Sequence, residues 1–155
     1  MNISRLIPFF CASLGGLKLM QVKRQRHAAI VVLDGDKVLL MLRSVTDPWK
    51  PCHWALPGGG VESDESFIDG AIRELKEETH LDIEEPHKLE PIKVAENGNM
   101  IFYLADNIHS GDVDLEKASH GFEHQDVHWA TLDELKFMKT VPELSDFLTT
   151  IMEGM

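Results

Sequence analysis

The stretch HAAIVVLDGDKVLLMLR, residues 27 to 43, limits what this chain can fold into more than any other part of it. Two apolar runs rich in β-branched residues flank Asp34-Gly35. Asp-Gly is among the dipeptides that best accept the backbone angles of a two-residue hairpin turn. The segment therefore predicts two antiparallel strands, and a sheet to receive them.

Further sheet material follows. A loop with Pro48 and Pro51 leads to WALP (54 to 57), which predicts a short strand stopped by Pro57 and three glycines. Ser63 or Asp64 can cap a helix over about 66 to 80. KLEPIKVAE and MIFYLAD, joined by Asn97-Gly98-Asn99, and later QDVHWATL, predict three more strands. From Pro142 to Met152 apolar residues recur at helical spacing. The order β-β-β-α-β-β-β-α describes an α/β (α+β) fold, a mixed sheet with helices packed on it.

The chain has 155 residues, 43% of them hydrophobic, enough for one domain with a single sizeable core. Its formal net charge of −11 disfavours binding to polymeric nucleic acid or to an anionic membrane through the bare surface. A polyanionic ligand would need bound cations. With Cys11 and Cys52 as its only cysteines, the sequence suggests neither a disulfide framework nor a cysteine-rich zinc site, and a cytoplasmic location is expected. Residues 1–22 are expected to form an N-terminal extension that packs on the domain or frays, with 23–155 as the domain. Their apolar run is broken by Pro8 and Gly15-Gly16, and their basic cluster follows the run instead of preceding it, unlike a signal peptide. Met20 is an alternative start.

The helix carries the chemistry. At 100° per residue from Phe67, the side chains of Phe67, Ile68, Ala71, Ile72 and Leu75 fall within an arc of about 140°. Glu77, Glu74 and Glu78 cluster from about 280° to about 20°, overlapping the edge of that apolar stripe, while Asp69 and Lys76 hold the opposite side. Three carboxylates beside a core repel one another and lose solvation, so something positive must compensate. Hard divalent cations take carboxylate oxygens in this way. Gly70 lies on the carboxylate face, leaving room either for a ligand or for a tight helix–loop contact. Local pairs along an ordinary charged helix are the alternative account of the glutamates.

The spacing extends upstream. Gly59, five residues, Glu65, seven residues, then Arg73-Glu74-Leu75-Lys76-Glu77-Glu78 and Leu81 resemble the signature of the Nudix hydrolases, G-x5-E-x7-R-E-U-x-E-E-x-G-U. Here U is an aliphatic residue, and the box covers 59–81. His80 replaces the last glycine of the pattern, at a place where a left-handed helix cap is expected, which His tolerates better than most residues. Asp64 stands where many relatives have glycine. WALPGG, the hairpin and the late strand with Trp129 are also similar to the family, of the small, single-domain, MutT-like kind.

The resemblance implies the Nudix fold, a mixed β-sheet sandwiched between α-helices, and hydrolysis of a nucleoside diphosphate linked to another group. It implies Mg²⁺, with Mn²⁺ as substitute, held by Glu74, Glu77, Glu78 and the carbonyl of Gly58. Arg73 corresponds to the residue that orients the glutamates, with Glu65 as its partner. For the general base, GFEHQDVHW offers Glu123, six residues before Trp129, with His124 and Asp126 as neighbours that could substitute. A solvated loop is the plain reading of that stretch.

Arg43, Gly59 and Glu65 are assigned to substrate binding, Arg43 by its resemblance to a position that faces phosphate. Trp49, Trp54, Phe102 and Tyr103 could face a base, although aromatic residues in strands more often belong to a core. The expected partner is a small nucleotide diphosphate derivative, and a homodimer is compatible with the sequence. Two alternatives stand beside hydrolysis. One is a non-catalytic nucleotide-binding module. The other is isoprenoid diphosphate isomerisation, for which Cys52 is the only candidate cysteine.

Overall fold

The structure, a computed structural model, describes residues 25–106, 108 and 113–155. The extension expected over 1–22, with Cys11, lies outside the described residues. β1 (Arg26–Asp34) and β2 (Lys37–Arg43) form the predicted hairpin, with Asp34 opposite Lys37 and Leu33 opposite Val38. Gly35 sits at the turn with φ +60°, a conformation that most side chains resist, and nothing else crowds it.

The remaining strands are β3 (Trp54–Ala55), β4 (Gly58–Val61), β5 (Glu90–Val94), β6 (Met100–Ala105) and β7 (His124–Thr131). Their order is β3-β2-β1-β6-β5, with β4 also pairing β1 and β7 also pairing β2. The sheet is mixed: β1 and β6 run parallel, and the other pairs are antiparallel.

The central strands are buried on both faces. Ala28, Ile30 and Val32 of β1 join Leu39 and Met41 of β2 in one cluster, which α1 (Phe67–Thr79) covers with Ala71 and Leu75. Val31, Leu33, Val38 and Leu40 point the other way. They meet Leu135 of α2 (Leu132–Leu135) and Leu144 and Leu148 of α3 (Leu144–Glu153). Side-chain alternation along a strand thus builds two cores, one under α1 and the other under α2 and α3, which is the expected sandwich. Fully buried Leu39, Leu75 and Leu148 contribute about 1.5–3 kcal/mol each by leaving water.

Some expectations need correction. WALP does not run to Pro57 as one strand: β3 ends at Ala55, and the glycines form β4 instead of a stop. β4 approaches β1 so closely that a Cβ on Gly58 would stand 2.4 Å from the Ala28 carbonyl oxygen, so at Gly58 the missing side chain is what admits the strand. The cap of α1 is Ser66, not Ser63 or Asp64: its hydroxyl accepts the Asp69 amide N–H at 3.2 Å. Residues 62–65 are used instead to turn Glu65 back, its Oε1 accepting the Glu62 N–H at 2.8 Å. The short helix α2 went unforeseen, although Thr131-x-x-Glu134 is a capping box and forms one here.

Candidate active site

α1 brings the box together. Its buried side carries Gly70, Ala71, Leu75, Glu78 and Thr79. A Cβ on Gly70 would meet Val61 and the Glu65 carboxylate at 3.0 Å, so the bare backbone serves a tight helix–strand contact. The helix ends at His80 with φ +66°, the expected left-handed cap, its N–H bonded to the Lys76 carbonyl.

Arg73 is the hub of the site. Its Nη2 donates to Glu65 Oε1 at 2.7 Å and to the Gly60 carbonyl at 2.8 Å, and its Nε to Glu65 Oε2 at 3.2 Å. Its Nη1 donates to Glu74 Oε1 and Glu77 Oε2, each at 3.0 Å. One guanidinium therefore faces three carboxylates, and chiefly the Glu65 hydrogen bond pushes its pKa up. The same fork holds the Glu65 carboxyl below its ordinary value. Glu74 goes the other way: burial raises its pKa, opposed by Arg73 and reinforced by the Glu78 and Glu77 charges. Gly59 lies directly against it, and a Cβ there would meet the Glu74 carboxyl group at 2.6–2.8 Å.

Glu78 stands apart from this network. It is only 4% exposed. Its Oε2 accepts the Gly58 N–H at 2.8 Å, and its Oε1 accepts His124 Nε2 at 2.9 Å. Among the described residues no Lys or Arg side chain pairs with it.

The chain before β7 closes the other side. The Asp114 N–H donates to the Thr79 carbonyl at 2.9 Å, and the His120 N–H to the Glu77 carbonyl at 2.7 Å, tying this segment to the end of α1. His120 Nδ1 lies 3.2 Å from Glu77 Oε2 and 3.9 Å from Glu123 Oε1. Glu123 is thus linked to the box through His120, with its carboxylate about half exposed. His124 enters the cluster directly. Asp126 does not, since its carboxylate accepts its own neighbour's N–H, from Val127, at 2.8 Å on the exposed side of β7. His120 was missed from sequence, where its place three residues before Glu123 was the one available signal.

Arg43 ends β2 opposite His124, next to a register shift. Its guanidinium donates to Asp47 at 2.6 Å and to the Trp49 carbonyl at 2.9 Å, and lies 4.9 Å from the Trp49 ring centroid. It is therefore ordered at the rim by its own loop. Of the other aromatic candidates, Tyr103 belongs to the core under α1, Phe102 meets Phe147 in a tilted ring contact, and Trp54 packs with the second core. Cys52 is exposed, with Gln125 Nε2 at 3.6 Å from its sulfur.

Among the described residues no three acidic, His or Cys side chains already converge as a metal cage. The donors nevertheless fit a hard divalent ion in kind. Two carboxylates share one cationic nitrogen of Arg73, and a third is buried with no Lys or Arg partner among the described residues. Such a cluster can neutralise and grip a phosphate chain once cations are supplied, with a half-exposed carboxylate and an imidazole beside it to accept a proton.

The family model described as NUDIX domain matches residues 23–151. An ADP-ribose pyrophosphatase of Methanocaldococcus jannaschii is 37% identical over 71 residues, 42% of this chain and 41% of that protein. An m7GpppN-mRNA hydrolase, NUDT17, of Bos taurus is 43% identical over 56 residues, 36% of this chain and 18% of that one. These matches span less than half the length of the curated relatives. A solved Ap4A hydrolase of C. elegans superposes with TM-score 0.59 at 26% identity, covering 84% of this chain and 99% of its own.

Proposed function

This chain belongs to the Nudix family, and from that premise we propose that it is a pyrophosphohydrolase. Its reaction would be divalent-metal-dependent hydrolysis of the diphosphate linkage in a nucleoside diphosphate joined to another group. The observation that carries the reading is Glu78. A buried carboxylate held by a backbone N–H and an imidazole, beside two more carboxylates on the same helix face, is a costly arrangement that bound cations relieve.

Glu74, Glu77 and Glu78 would hold the metal, with the Gly58 carbonyl as a further ligand. A divalent ion there supplies charge neutralisation, polarisation of the phosphoryl group and acidification of water. Arg73 keeps Glu74 and Glu77 in register, and Glu65 keeps Arg73 in place through its two-pronged contact. Gly59 leaves the space that the Glu74 carboxylate occupies. Glu123 accepts the proton of the attacking water, with His120 between it and Glu77. Arg43, ordered on Trp49 at the rim, receives a distal phosphate of the substrate.

The names of the relatives support the substrate class: ADP-ribose, the m7GpppN cap and Ap4A all carry two groups joined through a diphosphate or longer bridge. A panel of such compounds, with nucleoside triphosphates, incubated with Mg²⁺ or Mn²⁺ and resolved by chromatography tests the proposal. Cleavage at a diphosphate linkage is expected. Nucleotide binding without turnover would instead identify a binding module.

A further inference from the structure

We propose that His124 is a positioning residue of the metal site, fixing the Glu78 carboxylate in the orientation that a cation needs. This role rests on the metal reading above. His124 opens β7, and its side chain is only 7% exposed. Its Nε2 meets Glu78 Oε1 at 2.9 Å, while the other oxygen takes the Gly58 N–H of β4 at 2.8 Å. Donors on two different strands grip the two oxygens, so the carboxylate cannot rotate without losing one of them.

The residues on either side of His124 are tied to the end of β2. Before it, the Glu123 carbonyl accepts the Ser44 N–H at 3.2 Å; after it, Gln125 Nε2 donates to the Arg43 carbonyl at 2.7 Å. His124 Nδ1 is the one buried side-chain nitrogen or oxygen among the described residues that lacks a partner. Placing the ring proton on Nε2 gives Glu78 its hydrogen bond and leaves Nδ1 a bare acceptor, avoiding a buried, unpaired N–H. A residue kept only for packing would not retain an unsatisfied nitrogen, since an apolar ring fills the same space without that cost. The same geometry separates His124 from proton transfer: one nitrogen is committed to Glu78, and the other is sealed from water.

Mn²⁺ binding to the full chain, followed by the electron paramagnetic resonance signal of free Mn²⁺, tests this without reference to turnover. His124→Phe keeps an aromatic ring but offers no donor, and should weaken Mn²⁺ about 10–100-fold, the range found when a partner of a metal ligand is lost. His124→Gln restores an N–H at similar reach and should recover most of the affinity. His124→Asn, too short to span to Glu78, should behave like the Phe variant, and stands in for it if the latter does not fold. Affinity within twofold of the natural chain in His124→Phe or His124→Asn would overturn the role. So would a folded His124→Gln protein that binds no better than they do. Absence of Mn²⁺ binding by the natural chain would overturn the metal reading itself and this role with it.

Discussion

At Glu123 a half-exposed carboxylate is coupled to the box through His120 rather than touching it, as a proton acceptor facing water would be. If Glu123 is the proton acceptor proposed above, Glu123→Gln lowers kcat about 10²-fold with little change in KM, because a base contributes chiefly in the transition state. Asp126→Asn should stay near the natural rate, since that carboxylate is turned back on its own backbone. Steady-state kinetics of the two variants separate these outcomes, and equal activity in both would move the base into the box. Two other carboxyls predict acid behaviour of opposite sign in the metal-free protein. Arg73 holds Glu65 below its ordinary value near 4.5, so its stabilisation is present above that value and is lost as pH falls through the depressed one. Burial raises Glu74, so its ionisation costs stability as pH rises through the raised value. Thermal melts should show Glu65→Gln flattening the acid loss and Glu74→Gln raising metal-free stability at neutral pH. The opposite pair of changes would contradict this account of the charges. The three box carboxylates were legible because positions three and four apart share one helix face. The imidazoles were not, because His124 reaches Glu78 across 46 positions of sequence and no local period encodes such a meeting.

The glycines of β4 give two element-scale expectations that differ in kind. At Gly58 a Cβ would meet Ala28 and Ala29 backbone, with φ at +151°, so Gly58→Ala should lose at least about 1–3 kcal/mol from backbone strain, with steric conflict in addition. At Gly59 the obstacle is the far end of the Glu74 side chain, which can move. Gly59→Ala should therefore fold nearly as well, yet lose activity as the carboxylate is displaced. Urea unfolding alongside turnover checks the contrast, and equal stability losses would contradict it. The helices were legible where a stripe of Phe67, Ile68, Ala71, Ile72 and Leu75 marks one face. The strand at 58–61 was not, because glycine suggests a turn when only local preference is considered. At Gly58 it is the tertiary neighbour, β1, that requires the absence of a side chain.

For the whole molecule, the hairpin, the mixed sheet and the enclosing helices follow from patterns in the chain, but the parallel union of β1 with β6 does not. His27 meets Met100 across a long connection, and only the shared core decides that pairing. A chain of net charge −11 that draws three carboxylates together should be stabilised by cations. At about 100 times its dissociation constant, Mg²⁺ or Mn²⁺ would add about 2.7 kcal/mol, raising the melting temperature by roughly 5–10 °C. An unchanged melt would speak against cation binding by these carboxylates. Whether these carboxylates drive diphosphate hydrolysis is decided by ³¹P NMR of the nucleotide panel with Mg²⁺, comparing the natural chain with Glu78→Gln. With the natural chain one diphosphate linkage of the substrate should be lost, giving two monophosphates from ADP-ribose and new terminal-phosphate resonances from longer bridges, while the folded variant leaves the substrates intact. Intact diphosphates throughout with the natural chain, or equal cleavage by Glu78→Gln, would contradict it.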